Sequence, residues 1–597
     1  MKKDIEVQKQ KLSQILYDHR YKIDVFQREY KWGVPQIEAL INDLTTCFYK
    51  TYNEGDTIEN YEDYDTYFMG SIVLCKDSRR NLSIVDGQQR LTTFTLLLIY
   101  LGHMQDSLEI SEFSKKDMRD YLYVIKGGER SLILNIESRT EVMDYLIDSK
   151  GESYNFDISV QPESVRNIIW GYENIKRLFP QDLITIDRLP LFIEWMLDNV
   201  MMVEIMTENM DNAYTIFETM NDRGLNLKPA EILKGYLLSK IVENHESQYE
   251  EKAEDANNFW TLRLDELQMK EHINESDVFR AWLRAKYAVT QRSSKSGSQN
   301  EDFEKIGTNF HSWVKDNTAR MKLKSAEDYY FFIRSDFDFY SSLYMDINRY
   351  KCNETNGYNI LYLNNFYTIA DSLMYPLLMA PISKIDDNDT RRDKLIITAD
   401  FVDKLANIRT LQNRVITQTS IRNTIYELVK KIRGVGKNEL KSILQEELIK
   451  TIGKEGGYRT LKDMNNGNYY HYFYARIWHY LNEELIFSEL LRSRKQTSLV
   501  LIPIFNDQDL QVDNNSEAYR YVLVYSVANY CLMRRRDARE YEQLITVDEK
   551  MKFLRCHGDF PELRGESWST PQSLIEKRDN AFQEITENLW LKELDYI

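Results

Sequence analysis

With 597 residues, 43% of them hydrophobic and 29% charged, the chain has the composition of a folded globular protein with several cores, not of a disordered one. Its formal charge of −17, from 77 basic and 94 acidic residues, argues against a dedicated non-specific DNA binder and confines any nucleic-acid contact to a local patch. No apolar run reaches membrane-spanning length, the charged start Met1-Lys2-Lys3-Asp4 lacks a signal-peptide core, and Cys47, Cys75, Cys352, Cys531 and Cys556 form no CxxC pair. A cytoplasmic protein is expected, with no membrane association, disulfide framework or structural zinc.

In chain order, Asp4 to Tyr17 reads as a helix and Tyr21 to Phe26 as an extended stretch. Val34 to Tyr49 reads as a second helix, with Pro35 in the first turn, where a missing N–H costs nothing. Tyr67 to Leu74 and Leu82 to Val85 read as two strands around the polar turn Asp77-Ser78-Arg79-Arg80. The second strand runs into Asp86-Gly87. A long helix follows, with Leu91, Phe94, Leu97, Leu98 and Leu101 on one side. Val200 to Met206 is strand-like and leads to a helix from Asn212 to Met220, the turn Asn221-Asp222-Arg223-Gly224, and a helix from Pro229 to Val242. From about residue 250 to 450 helical periodicity dominates, interrupted by the Ser-, Gly-, Lys- and Gln-rich stretch Thr290 to Asp302, the best linker or mobile loop. Lys437 to Ile452 is a helix ending in the glycine-rich boundary Gly453 to Gly457, and the rest reads as a mostly helical C-terminal domain. Gly434-Val435-Gly436-Lys437 lacks the first glycine and the final Ser/Thr of a P-loop and reads as a helix terminator.

Three separated blocks carry candidate chemistry: Phe26-Gln27-Arg28-Glu29-Tyr30-Lys31-Trp32, Asp86-Gly87-Gln88-Gln89-Arg90, and Phe217 to Leu227. In the second, a strand ends, glycine permits a tight turn, and the exposed amides of a helix start can receive an anion. Gln88 and Gln89 add neutral donors and acceptors. Arg90 adds a fork suited to phosphate, and Asp86 could hold a divalent metal or orient a water. The plain alternative is a helix cap, with Asp86 capping and Arg90 in a surface ion pair. In the first block, Arg28 could meet phosphate and the aromatics a base or sugar, or the segment could be a half-buried edge with an ordinary aromatic anchor. In the third, Asn221 and Gly224 fit a helix C-cap turn, while Arg223 could close over a ligand from the opposite side.

Together the blocks resemble the ParB-like family that forms the sensor/NTPase half of GmrSD-type and phosphorothioate-sensing Ssp-type restriction systems. That family's pattern is Gln-Arg-x-Tyr-x-Trp, then strand-Asp-Gly-Gln-Gln-Arg-helix, then Phe-x-x-x-Asn-x-x-Gly-x-x-Leu. All three elements stand here in order over roughly residues 10 to 240, with Lys234 matching a lysine that commonly follows the third. The resemblance implies an α+β protein with a ParB/sulfiredoxin-like N-terminal domain (1–245), followed by a mostly α-helical middle (246–455) and C-terminal region (456–597). It also implies binding and hydrolysis of an NTP with Mg²⁺ or another divalent cation, coupled to recognition of modified phage DNA. Asp86 and Arg90 would be catalytic and Asp86 the metal ligand. Gln27, Arg28, Tyr30, Gly87, Gln88, Gln89, Asn221, Arg223 and Gly224 would line the nucleotide.

Family members often end in an HNH-type nuclease domain or work beside a partner that has one. The tail resembles a worn outline of it: Tyr470 to Leu485 for the lead helix, Val527 to Leu532 for the second element (Ala528 replacing its glycine), and Ile575, Arg578 and Trp590 for the ending. Val500-Leu501-Ile502-Pro503 puts valine where the family's general-base histidine stands, which removes the water-activating step. Arg534-Arg535-Arg536 reads as a solvated helix face, Cys556-His557 is a poor metal pair because adjacent residues seldom point at one ion, and His471 and His479 read as packing residues. The expectation is a nuclease-like domain without nuclease activity and a partner nuclease. Self-association is left open, and the alternative to an NTPase is a non-catalytic nucleotide- or DNA-sensing scaffold.

Overall fold

The computed structural model describes residues 5–22, 30–76, 82–111, 114–126, 129–135, 137–149, 158, 161, 163–208, 212–213, 216, 228–242, 247–293, 297–412, 414–453, 467–482, 487–491, 499–510, 522–556, 569–592 and 594. The chain divides into two compact units, Met1–Asn258 and Phe259–Ile597.

The strands of the first unit are β1 (Ile5–Lys11), β2 (Tyr21–Lys22), β3 (Tyr67–Lys76), β4 (Leu82–Asp86), β5 (Tyr123–Lys126), β6 (Glu129–Leu132), β7 (Leu134–Asn135) and β8 (Val200–Thr207). Its helices are α1 (Leu12–Leu16), α2 (Val34–Thr51), α3 (Gln88–Ser107), α4 (Glu137–Asp148), α5 (Glu163–Leu178), α6 (Arg188–Asn199) and α7 (Pro229–Val242). Six strands make one mixed sheet in the order β1-β8-β3-β4-β2-β7, and β5 and β6 pair separately. The β3–β8 pair is parallel, while β1–β8 and β3–β4 are antiparallel.

One expectation needs correcting at the start of the chain. Where a helix was read from Asp4 to Tyr17, the chain forms β1 and only then the short α1. The β-branched Ile5 and Val7 stand two apart, and seven consecutive residues from Ile5 to Lys11 pair with Thr207 to Met201, so long-range pairing outweighs local helix propensity. α2 behaves as its pattern predicts. Ile37, Leu40, Ile41, Leu44 and Phe48 are buried at helical spacing, and Pro35 sits in the first turn. α3 differs in degree: Leu96, Ile99 and Tyr100 are buried as well as the predicted stripe, so it is enclosed nearly all round and forms the centre of the unit. β4, β8 and α7 follow their predicted spans closely, whereas the Asp77 turn and most of the Asn212 to Met220 helix lie outside the described residues.

Several of the chain's 40 tyrosines find a physical use in this packing. Their rings fill cores while the hydroxyls reach acceptors at the margin: Tyr21 to the Ile15 carbonyl (2.8 Å), Tyr67 to Asp43 (3.0 Å), Tyr123 to Asp144 (2.9 Å) and Tyr541 to the Ile504 carbonyl (2.7 Å).

The second unit is mostly helical. Trp260, Phe279, Trp282, Phe332 and Phe337 stack in one of its cores. Helix Asn388–Leu411 is buried without interruption from Lys394 to Ile408 and carries Asp403 in its interior. The Asp403 carboxylate accepts hydrogen bonds from the Arg476 guanidinium (2.8 Å), the Trp590 indole (3.0 Å) and the Tyr472 hydroxyl. The predicted linker Thr290 to Asp302 is a loop closed at its mouth. Asp302 accepts from the Val289 and Thr290 amides, the Trp313 indole and Arg320.

Candidate functional site

The site is assembled where β4 ends and α3 begins. Gly87 takes a left-handed φ of +98° as the residue before the helix and, having no side chain, offers no cap of its own to the first turn of α3. An added Cβ at Gly87 would come 2.6 Å from Ile72 Cγ2, so the turn requires glycine both for its backbone and for its approach to β3. Asp86, at the end of β4, and Arg90, one turn into α3, face one another: Arg90 Nη2 donates to Asp86 Oδ2 at 3.0 Å. Their side chains are only 20% and 23% exposed, which makes this a half-enclosed pair and not the surface ion pair of the plain reading. Asp86 is also not the cap. That place belongs to Gly87.

Arg90 reaches across to β3. Its Nη1 donates to the Met69 carbonyl at 3.4 Å, over a β-bulge where β3 shifts register against β8 between Phe68 and Gly70. Gly70 has φ +105°, and a Cβ there would fall 2.6 Å from Arg90 Nη1. The bulge and its glycine thus clear the space in which the guanidinium lies. Sequence reading treats Gly70 as an ordinary strand residue. The signal available was a glycine inside a strand pattern, which often marks a bulge or a close approach.

The first and second sequence blocks meet. The Lys31 amide donates to Gln89 Oε1 (2.8 Å), so one oxygen of a residue assigned to the nucleotide ties the two blocks together. Tyr30, assigned with it, is fully buried, and burial pushes its phenol up to about 12. Its hydroxyl pairs with Thr93 Oγ1 (2.9 Å), its carbonyl accepts from Asn167 Nδ2 (2.8 Å), and its ring packs beside Gly171. Tyr30 is therefore a buried anchor and does not present its ring to a base or sugar. Gln88 is buried and Gln89 half-buried in the first turn of α3. Gln27, Arg28, Asn221, Arg223 and Gly224 lie outside the described residues, and Lys234 stands on α7.

Residues 10–238 match the family model described as GmrSD restriction endonuclease, N-terminal domain. This stretch is thus similar to a GmrSD N-terminal domain. It takes in β2 to β8 with all three sequence blocks, and the α+β reading of the fold holds: a mixed sheet here and a mostly helical remainder. No curated protein matches the chain.

Beyond residue 238, the residues read as a nuclease outline have structural partners. Strand Leu499–Pro503 pairs antiparallel with Tyr530–Arg534, placing Val500 opposite Met533, and helix Arg535–Tyr541 follows. Asn529 is fully buried. Its Oδ1 accepts from the Phe505 amide (3.0 Å), and its Nδ2 donates to the Phe505 (2.8 Å) and Val524 (3.1 Å) carbonyls. Arg578 donates to the Tyr530 carbonyl (2.8 Å), and Trp590 to Asp403. His471 contacts the Leu490 carbonyl (2.7 Å) and His479 packs on Phe487, as expected of packing residues. Gly434 to Lys437 separates two helices and pairs Lys437 with Asp393 at 2.7 Å. Among the described residues, no three His, Cys, Asp or Glu side chains gather as a metal site, and no helix is long and apolar enough to cross a membrane.

Proposed function

We propose that the GmrSD domain binds a nucleoside triphosphate at the start of α3, hydrolyses it, and thereby gates restriction of modified foreign DNA in anti-phage defence. One observation carries the reading. At a helix start whose N-cap is a glycine, Arg90 uses only two of its N–H groups on described residues, Nη1 to Met69 and Nη2 to Asp86, and keeps the rest of its fork for an anion. Phosphate oxygens fit a guanidinium held at the positive end of a helix, and the Asp86 contact fixes the guanidinium's orientation. Asp86 Oδ1, the oxygen that takes no part in the Arg90 contact, would hold the attacking water or one edge of a cation. Among the described residues no cage of acids forms, so a cation here would take Asp86 together with phosphate and water oxygens, a ligand set that suits Mg²⁺. When bound, Mg²⁺ would supply charge neutralisation at the phosphates.

Phosphate release over a panel of NTPs with Mg²⁺ tests this. Asp86→Ala and Arg90→Ala should each lose turnover by about a hundredfold or more. Unchanged turnover and unchanged phage protection in Asp86→Ala would defeat the assignment.

A second reading concerns the tail: a scaffold for a separate nuclease. It is favoured by Val500, an apolar side chain on a strand in register with Met533, and by Asn529, whose side chain is given over to backbone contacts. Copurification of the native operon's products with an intact HNH protein would support it. Metal-dependent DNA nicking by the protein alone would refute it.

A further inference from the structure

Two residues outside all three sequence blocks converge on Tyr30. Thr93 lies one turn beyond Arg90 on α3, and Asn167 reaches Tyr30 from α5, 137 residues away in the chain. The chemistry of the contacts gives them a direction. Thr93 has one hydroxyl proton and donates it to the Gln89 carbonyl at 2.8 Å, so the 2.9 Å contact with Tyr30 must use the phenol's proton. A chain therefore runs from the Tyr30 hydroxyl through Thr93 to the backbone of Gln89, while the Gln89 side chain receives the Lys31 amide. On the other side α5 presents a donor and a notch one turn apart. Asn167 Nδ2 holds the Tyr30 carbonyl, and at Gly171 an added Cβ would stand 2.9 Å from Tyr30 Cε1 and 3.1 Å from Leu96 Cδ1.

We infer that Thr93 and Asn167 are positioning residues of the α3 site: they lock the Tyr30–Lys31 backbone onto the first turns of α3 and so set the register of the first sequence block against Asp86–Arg90. The inference rests on the nucleotide reading for its functional consequence. Its structural content stands apart from it. A tether of this kind acts on ground-state binding, because it places contacts and touches no reacting atom.

The test uses full-length protein carrying Thr93→Val, Thr93→Ser or Asn167→Ala, with hydrogen exchange at the Lys31 amide and steady-state NTP turnover measured on each. Thr93→Val and Asn167→Ala should speed Lys31 exchange and raise KM about tenfold or more, with kcat changed less. Thr93→Ser, which keeps the hydroxyl, should restore both readouts toward wild type. A merely structural role would lower the melting temperature and leave KM and its serine rescue unmoved. Folded variants with wild-type Lys31 exchange overturn the inference, as does faster exchange at unchanged KM. A wild-type protein without NTP turnover would sink the nucleotide reading instead, and Lys31 exchange would still decide whether the tether exists.

Discussion

At the scale of single residues, the site depends on places where a side chain is absent. Gly87 combines a left-handed backbone with contact against Ile72, so Gly87→Ala meets two penalties, conformational strain and overpacking. The variant should lose about 2 kcal/mol or more of stability in the first unit, read as a lower urea midpoint at unchanged slope. A normal midpoint would mean that β3 yields easily. The motif from Asp86 to Arg90 was legible from sequence because a strand, a glycine and a helix start are local signals. Its companions were not. Gly70 acts only through the distant Arg90, and Asn167 is an unremarkable polar residue on a helix until the fold brings Tyr30 beside it. The role of Tyr30 stood open in the sequence for the same reason. An aromatic in a motif reads equally well as a stacking platform or an anchor, and burial decides between them.

At the scale of elements, Asp302 shows how a loop that looks slack in sequence is drawn tight. Burial alone would raise its pKa. The Trp313 indole, the Thr290 and Val289 amides and Arg320 outweigh burial and hold the carboxyl at about 2. A carboxyl depressed in the folded state stabilises above its unfolded pKa and loses that contribution as pH falls toward the folded value. The window is therefore about pH 4 down to about pH 2, and the contribution is roughly 2 kcal/mol. Asp302→Asn should remove this share of the acid dependence of unfolding in the second unit and leave the neutral-to-alkaline dependence unchanged. An acid limb as steep as wild type would argue that the loop mouth is held by its other contacts, such as the Arg292 amide on Glu304. Composition alone marks the loop but not its staple, which comes from the first residue of the helix that follows. β1 teaches the reverse lesson. Its local pattern suits a helix, and only a partner strand from residue 200 onward makes it a strand.

At the scale of the molecule, Asp403 binds the second unit into one body. It sits on a helix of the middle segment, while Tyr472, Arg476 and Trp590, which surround it, all come from beyond residue 456. A buried carboxylate deprived of such partners is strongly destabilising, by about 3–5 kcal/mol for a broken buried pair. A chain ended at residue 453 should accordingly fail to give a cooperative melt for the second unit, followed by near-ultraviolet circular dichroism. A sharp transition in the truncated chain would instead establish residues 456–597 as a separate domain. The sequence showed that this half is helical but not which helices share a core. Periodicity reports that a face is buried and says nothing of what buries it.

The pairing of β1 with β8 also sets a timetable for the newborn chain. About 200 residues separate the two partners, so at about 5–20 residues per second the first strand leaves the ribosome some 10–40 s before its neighbour exists. Throughout that interval Ile5 and Val7 are strand-forming side chains whose partner strand has not yet been made.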